Sequence, residues 1–232
     1  MKSSFRLSSL FAFSALALLC AFLLAFVGFW AYNSTQLKKV AVQESQIGKE
    51  ISELAKYQNW TLDYVRIYLA LGILSKNKMP PEQKIQLSDE IWMISRNYGF
   101  DPLLIPAIVY QESRGNPNAK GRFRSGAESG AYGLMQLKLP TAQAIGKRFG
   151  IEIENAEDLM HPEISVVIGS AYLMRLVGRY GDLKKAIIAY NIGQGGVDTK
   201  IRSRSPIPTN YYEEVLAKYR KLKRLIYEQI GE

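Results

Sequence analysis

The chain has 232 residues, with 30 Lys and Arg against 21 Asp and Glu, and it contains a single His and a single Cys. These two single residues exclude a zinc site built from four Cys and His ligands, and they exclude a framework of several disulfides. A Ser-His or Cys-His nucleophile would need His161, so acid–base chemistry is expected from carboxylates, tyrosines or lysines. The net charge of +9 favours an anionic partner, which could be nucleic acid, lipid headgroups or an acidic wall polymer.

The N-terminal segment, residues 1–35, is predicted to be a membrane anchor. Residues 10–32 carry no charge, and a helix of that length crosses a bilayer at about 1.5 Å per residue. A cleaved signal peptide is the alternative, although its apolar region is usually shorter and no small-residue cleavage site follows here. Lipidation at Cys20 is a third reading. Export through this segment would place the rest of the chain on the periplasmic side of the cytoplasmic membrane, which argues against nucleic acid as a partner.

The next segment, residues 36–84, is predicted to be a helical extension or stalk. Apolar residues such as Val40, Ile47 and Ile51 recur at helical steps with Lys and Glu between them. The residues around Pro80 and Pro81 end this pattern, because proline lacks a backbone donor and restricts the residue before it. A coil that dimerises or binds an envelope protein partner is the alternative role.

Residues 85–232 form the predicted main domain, and each strong pattern in it is helical. Asp101 is predicted to cap a helix that runs to Glu112, and Gly150 is predicted to end a later helix. No alternating strand with a hairpin turn has comparable strength. The predicted fold class is therefore all-α.

Glu112 is the strongest candidate for a catalytic group. It falls on the same helical stripe as Ile105 and Ile108, which face the predicted core. Burial of a carboxyl raises its pKa and keeps it protonated, as a general acid for glycosidic cleavage requires. The alternative is a Glu that turns into solvent where the helix ends.

The residues after Glu112 suggest a groove lined by glycine loops and polar side chains. Glycines allow a close approach of the backbone to a ligand, and Gln136 offers both donors and an acceptor. Tyr190 and Asn191 stand at a predicted helix end before a glycine run. The motifs, in chain order, are Glu112-Ser113, Asn116-Pro117, Gly130-Ala131-Tyr132-Gly133-Leu134-Met135-Gln136, Pro140-Thr141-Ala142, Tyr172-Leu173 and Ala189-Tyr190-Asn191-Ile192-Gly193.

In order and spacing these motifs resemble the soluble lytic transglycosylase (SLT) family, over roughly residues 86–220. The resemblance implies a goose-type-lysozyme-like catalytic domain that cleaves peptidoglycan without a cofactor or a metal. It implies that Glu112 protonates the oxygen between N-acetylmuramic acid and N-acetylglucosamine and then deprotonates the muramic C6 hydroxyl, leaving a 1,6-anhydro end. It also implies substrate-binding roles for Ser113, Met135, Gln136, Tyr190, Asn191 and Tyr212.

The last motif departs from the family pattern, because its Glu is missing and its tyrosine is ambiguous. Counting from Thr209 selects Tyr212, whereas counting back from Val215 selects Tyr211. Two other functions stay open: a hydrolysing muramidase, with Glu128 as the first candidate for a second carboxylate, and a scaffold that binds glycan without cutting it.

Overall fold

The structure is a computed structural model that describes the backbone of residues 2–230 and the side chains of residues 21–49 and 61–230. The chain divides into two compact units, Met1–Asn59 and Trp60–Glu232. Among the described residues the secondary structure is mostly helical, as predicted. The helices and strands are α1 (Lys2–Ser75), α2 (Pro81–Tyr98), α3 (Leu104–Ser113), β1 (Lys120–Arg122), β2 (Glu128–Tyr132), β3 (Leu137–Lys138), α4 (Leu139–Phe149), α5 (Pro162–Tyr180), α6 (Leu183–Arg202) and α7 (Asn210–Ile230).

The first unit is helical where it is described, and its apolar side chains are exposed. Phe22 and Leu24, for example, expose 72% and 75% of their surface. Within the part of the chain whose side chains are described, no helix is both long enough and apolar enough to cross a bilayer. The predicted anchor at residues 10–32 lies partly outside that part, because the side chains of residues 10–20 are not described.

The last turns of α1 belong to the core of the second unit. Ile67, Ala70, Leu71 and Leu74 are buried at helical spacing in the same apolar cluster as α3 and α5. From the sequence pattern, this stretch was predicted to belong to the extension, and the main domain was predicted to begin at residue 85. The contacts within the chain instead place the start of the second unit at Trp60, and the buried stripe from Ile67 to Leu74 is part of its core. The assignment of residues 36–84 as a stalk stays a prediction.

Helix ends in the second unit follow the glycine and aspartate signals of the sequence. Gly150 and Gly181 adopt left-handed conformations after α4 and α5, and the Asp182 side chain accepts a hydrogen bond from the backbone N–H of Lys185 at 2.6 Å. The helix before Glu112 differs from the prediction, since α3 begins at Leu104. The Asp101 side chain instead accepts the backbone N–H of Leu103 at 2.9 Å in the preceding turn.

A small antiparallel sheet interrupts the helices, and the sequence analysis did not predict it. Its order is β1-β2-β3, with Lys120 opposite Tyr132 and Tyr132 opposite Leu137. The strands follow α3 and precede α4, so the loop after the candidate acid is held by backbone pairing. The fold is thus helical with one short sheet beside the candidate site.

Candidate active site

Glu112 lies in the last turn of α3, half-buried, with a tyrosine hydroxyl on its carboxyl. The Tyr211 hydroxyl, from the first turn of α7, donates a hydrogen bond to Glu112 Oε1. Burial raises the pKa of Glu112 to about 7, and the hydrogen bond from Tyr211 acts in the opposite direction. Near neutral pH both the protonated and the ionised carboxyl are therefore populated, which suits a group that donates a proton and later takes one back.

A second tyrosine borders the same carboxyl. Tyr190 is buried on α6, and its hydroxyl donates to the carbonyl of Met135 at 2.9 Å. Its ring lies 5.3 Å from the ring of Tyr172. Burial, and then the nearby Glu112 carboxylate, raise the pKa of Tyr190 well above its ordinary value, and the same two causes act on Tyr211. Both phenols consequently keep their protons and act as hydrogen-bond donors.

The loop between β2 and β3 is built by glycine and by the side chain of Gln136. Gly133 has a φ of 78°, and a Cβ there would overlap the carbonyl oxygen of Leu159. Gln136 also has a left-handed backbone, with a φ of 48°, and its Nε2 donates to the carbonyls of Ala119 and Gly133 at 3.0 and 2.9 Å. The amide that was predicted to bind substrate thus ties the loop to the start of β1.

Met135 was also predicted to contact substrate, but its side chain is fully buried. A Cβ at Gly169 would lie only 2.5 Å from its sulfur, so α5 needs a glycine to accept it. The backbone N–H of Met135 donates to Ser165 Oγ at 3.1 Å, and its carbonyl accepts from Tyr190. Met135 therefore shapes the site through packing and its backbone rather than by presenting its side chain.

The remaining predicted substrate-binding residues have different surroundings. Ser113 Oγ donates to the carbonyl of Val109 at 3.1 Å and accepts from the N–H of Gly115 at 3.2 Å, so it ends α3. Asn191 is exposed on α6, two residues before the break in that helix at Gly193, whose φ is 77°. Ser113 directly follows Glu112 and Asn191 directly follows Tyr190, but each serves a different local structure.

The structure places Tyr211, rather than Tyr212, on Glu112. Neighbouring residues on a helix point about 100° apart, so only one of the two can face α3. The ring of Tyr212 instead lies 5.3 Å from the ammonium of Lys184. Counting back from Val215 selects the tyrosine that bonds to Glu112. Val215 is buried, and Tyr211, one turn earlier on α7, packs against the same apolar core.

Sequence reasoning missed two residues beside the site. Gln111 Nε2 donates a hydrogen bond to Glu214 Oε2 at 2.5 Å, joining α3 to α7 next to the Glu112–Tyr211 pair. Neither residue belongs to a motif, and the pairing depends on how the two helices pack. No pattern in the sequence signals this pair, because the two residues meet only where α3 packs against α7.

Other carboxylates lie elsewhere in the second unit. Glu128 is exposed at the start of β2, opposite Arg122. Glu90, on α2, has one buried oxygen without a hydrogen-bond partner, and burial and the nearby Glu163 raise its pKa to about 7. Among the residues that the structure describes, no three His, Cys, Asp or Glu side chains converge as metal ligands.

The family model described as the Transglycosylase SLT domain matches residues 90–212, about half of the chain. The chain belongs to this family. The match begins on α2 and ends just after Tyr211, so it contains Glu112 and the groups around it.

Curated relatives agree with this membership over part of their length. A protein named transglycosylase from Enterobacteria phage PRD1 is 35% identical over 121 residues, which are 52% of this chain and 40% of the phage protein. A protein named membrane-bound lytic murein transglycosylase F from Vibrio parahaemolyticus is 38% identical over 103 residues, which are 41% of this chain and 17% of that protein. The chain thus spans less than half the length of these relatives.

Among solved structures, the 70 kDa soluble lytic transglycosylase from Escherichia coli aligns with 66% of this chain and 26% of its own, at 25% identity and a TM-score of 0.49.

Proposed function

We propose that this chain is a peptidoglycan lytic transglycosylase that cleaves the β-1,4 bond between N-acetylmuramic acid and N-acetylglucosamine. The observation that carries the proposal is the half-buried Glu112, with a pKa of about 7 and a tyrosine hydroxyl on its carboxyl, in a chain of the SLT family. The family relatives named above as transglycosylases support the same reaction class.

Glu112 has two tasks in the proposed reaction. Its protonated carboxyl donates a proton to the glycosidic oxygen as the bond to C1 breaks. The resulting carboxylate then takes the proton of the muramic C6 hydroxyl, whose oxygen bonds to C1 and closes the 1,6-anhydro ring. A pKa near neutral supports both steps, because neither protonation state is strongly disfavoured.

The groups bordering Glu112 favour an internal attack over the use of water. Hydrolysing glycosidases generally need a second carboxylate, which acts as nucleophile or activates water. Among the described residues, the Tyr211 hydroxyl bonds to the Glu112 carboxyl and the Tyr190 phenol interacts with it electrostatically. Glu214 lies next to Tyr211 but is exposed and bonded to Gln111, and Glu128 is exposed on the hairpin. A muramic C6 hydroxyl is already part of the substrate, so its effective concentration is high.

Replacement of Glu112 tests the assignment of the acid. We expect Glu112→Gln to release no soluble muropeptides from purified peptidoglycan, because the amide cannot deliver a proton, while sedimentation with peptidoglycan is retained. Glu128→Gln is the matched control and should cleave at the wild-type rate. Substantial cleavage by Glu112→Gln would move the acid role to another residue, and loss of cleavage in Glu128→Gln would favour a two-carboxylate muramidase.

The proposal includes attachment to a membrane through residues 10–32, with the catalytic unit outside the cytoplasm. The uncharged sequence and the exposed apolar side chains of residues 21–32 support it, as does the name of the Vibrio relatives. Carbonate washing should leave the full chain in the membrane fraction, and protease should digest the catalytic unit once the outer envelope is permeabilised. A chain found soluble after export would instead favour a cleaved signal, and protection inside spheroplasts would reverse the orientation.

A further inference from the structure

Three consecutive residues of α3 each contact α7, in antiparallel order. The ring of Tyr110 lies 5.4 Å from the ammonium groups of both Lys218 and Lys221. Gln111 bonds to Glu214, one turn nearer the start of α7. Glu112 accepts from Tyr211, in the first turn. The last turn of α3 is therefore joined to the first three turns of α7 by a row of polar contacts.

The Gln111–Glu214 hydrogen bond lies immediately beside the bond on the candidate acid. Gln111 precedes Glu112 in the chain, while Glu214 follows Tyr211 by three residues, which places it on the same side of α7. The segment before α7, residues 205–209, has no regular secondary structure, so chain connection alone does not fix the first turn. That turn is tightened by Thr209, whose hydroxyl donates to Glu213 at 2.6 Å.

We propose that Gln111 and Glu214 are positioning residues, whose hydrogen bond holds the first turn of α7 so that the Tyr211 hydroxyl stays on the Glu112 carboxyl. The inference rests on the proposed function, since it concerns the acid of that reaction. The Gln111–Glu214 hydrogen bond is exposed, and the pair acts through Tyr211 rather than by contacting substrate. Its effect therefore has to be visible in the titration of Glu112.

The Gln111–Glu214 pair can change the pKa of Glu112 in two opposite directions. Loss of the hydrogen bond from Tyr211 raises the pKa of Glu112, because this bond opposes the effect of burial. Loss of a nearby negative charge lowers the pKa instead. The groups facing Glu112 and Tyr211 are Tyr190 from α6 and Glu214 from α7, while Lys218 and Lys221 lie on Tyr110. The sign of the shift thus separates positioning by Glu214 from its charge.

The test compares Gln111→Met, Glu214→Ala and Glu214→Gln in the full chain. Gln111→Met removes the bond without changing charge, and Glu214→Gln keeps an acceptor without the charge. The readouts are the alkaline limb of kcat/KM against pH on peptidoglycan and the titration of the ¹³C-labelled Glu112 carboxyl by NMR. Gln111→Met and Glu214→Ala should move both readouts upward by about half a pH unit or more. Glu214→Gln should move neither readout upward, and Glu228→Ala, a control at the far end of α7, should stay near wild type.

A double variant tests whether the effect passes through Tyr211. In Tyr211→Phe, the further change Glu214→Ala should cause no additional upward shift, because the hydroxyl that it positions is gone. A downward shift in Glu214→Ala, no shift in Gln111→Met, or equal damage from Glu214→Gln and Glu214→Ala would each overturn the positioning role. A wild-type chain without cleavage would contradict the proposed function, while the NMR titration would still decide the inference.

Discussion

At Glu112, burial and a hydrogen bond act on the same carboxyl in opposite directions. Burial penalises the charged form and raises the pKa, whereas the Tyr211 hydroxyl stabilises the carboxylate and lowers it. The balance lies at about 7. A side chain in this range can serve as acid in one step and base in the next, which the proposed reaction requires of a single residue.

The first prediction concerns the pH dependence of cleavage. The step that breaks the glycosidic bond needs protonated Glu112, so kcat/KM should fall by about tenfold per pH unit above the pKa near 7. A pH profile on purified peptidoglycan measures this. Glu90 also has a pKa of about 7, so Glu90→Gln is the control and should keep the same alkaline limb. If the alkaline limb disappears in Glu90→Gln, the group that titrates is Glu90 and not Glu112.

The second prediction concerns stability. Because the pKa of Glu112 is raised from 4.5 to about 7 in the folded chain, its ionisation penalises folding increasingly as pH rises from 4.5 to 7. Glu112→Gln removes this penalty, which is about 3 kcal/mol. The variant should therefore have a higher Tm than wild type at pH 8 and nearly the same Tm at pH 4. An equal difference at both values would show that Glu112 does not titrate as described.

At the scale of elements, the loop from Gly133 to Gln136 depends on contact with neighbouring backbone. The N–H of Gly133 donates to the carbonyl of Ala119 at 3.0 Å, and the space for a side chain at Gly133 is filled by Leu159. Since Met135 and Tyr190 meet at the end of this loop, its position also fixes a phenol beside Glu112.

The third prediction compares two glycines with the same backbone conformation. Gly133 and Gly130 have φ values of 78° and 74°, but only Gly133 has a neighbouring atom within reach of an added Cβ. Gly130→Ala should lower the free energy of unfolding by about 1 kcal/mol, because only the left-handed backbone conformation disfavours alanine there. Gly133→Ala should lower the free energy of unfolding by about 3 kcal/mol or more, because the backbone of Leu159 must also move. Urea denaturation measures both, and equal costs would contradict the close approach.

The same elements show which parts of the site were accessible to sequence reasoning. The helical stripe correctly indicated that Glu112 is partly buried, since spacing determines which residues share a face. The sheet was missed because β1 and β3 have only three and two residues and lack an alternating apolar pattern. The choice between Tyr211 and Tyr212 depended on where α7 begins, and the segment before α7 has no regular secondary structure from which its start could be predicted. The Gln111–Glu214 bond depends on packing between helices far apart in the chain.

At the scale of the whole molecule, the second unit needs the end of α1. Residues 67–74 bury four apolar side chains in its core. The prolines at positions 80 and 81 suggested a domain boundary, because they end a helix, but a helix end inside a domain gives the same signal. Packing distinguishes the two cases, and the sequence pattern does not.

The fourth prediction follows from this boundary. A fragment of residues 60–232 should unfold cooperatively, whereas a fragment of residues 85–232 should lack a cooperative transition. Burial of each large apolar side chain contributes about 1.5–3 kcal/mol, so losing Ile67, Leu71 and Leu74 removes much of a typical domain's stability. Circular dichroism during heating measures both. A cooperative transition in the shorter fragment would place the boundary at residue 85.

The chemical ends of the released glycan distinguish internal attack by the C6 hydroxyl from attack by water. Purified peptidoglycan should be digested with the full chain, and the muropeptides analysed by mass spectrometry before and after borohydride reduction. An internal attack by the C6 hydroxyl predicts 1,6-anhydromuramic ends, lighter by one water than hydrolysed ends and unchanged by borohydride. Muramic ends that borohydride reduces would contradict the transglycosylase and show that water, rather than the C6 hydroxyl, completes the reaction.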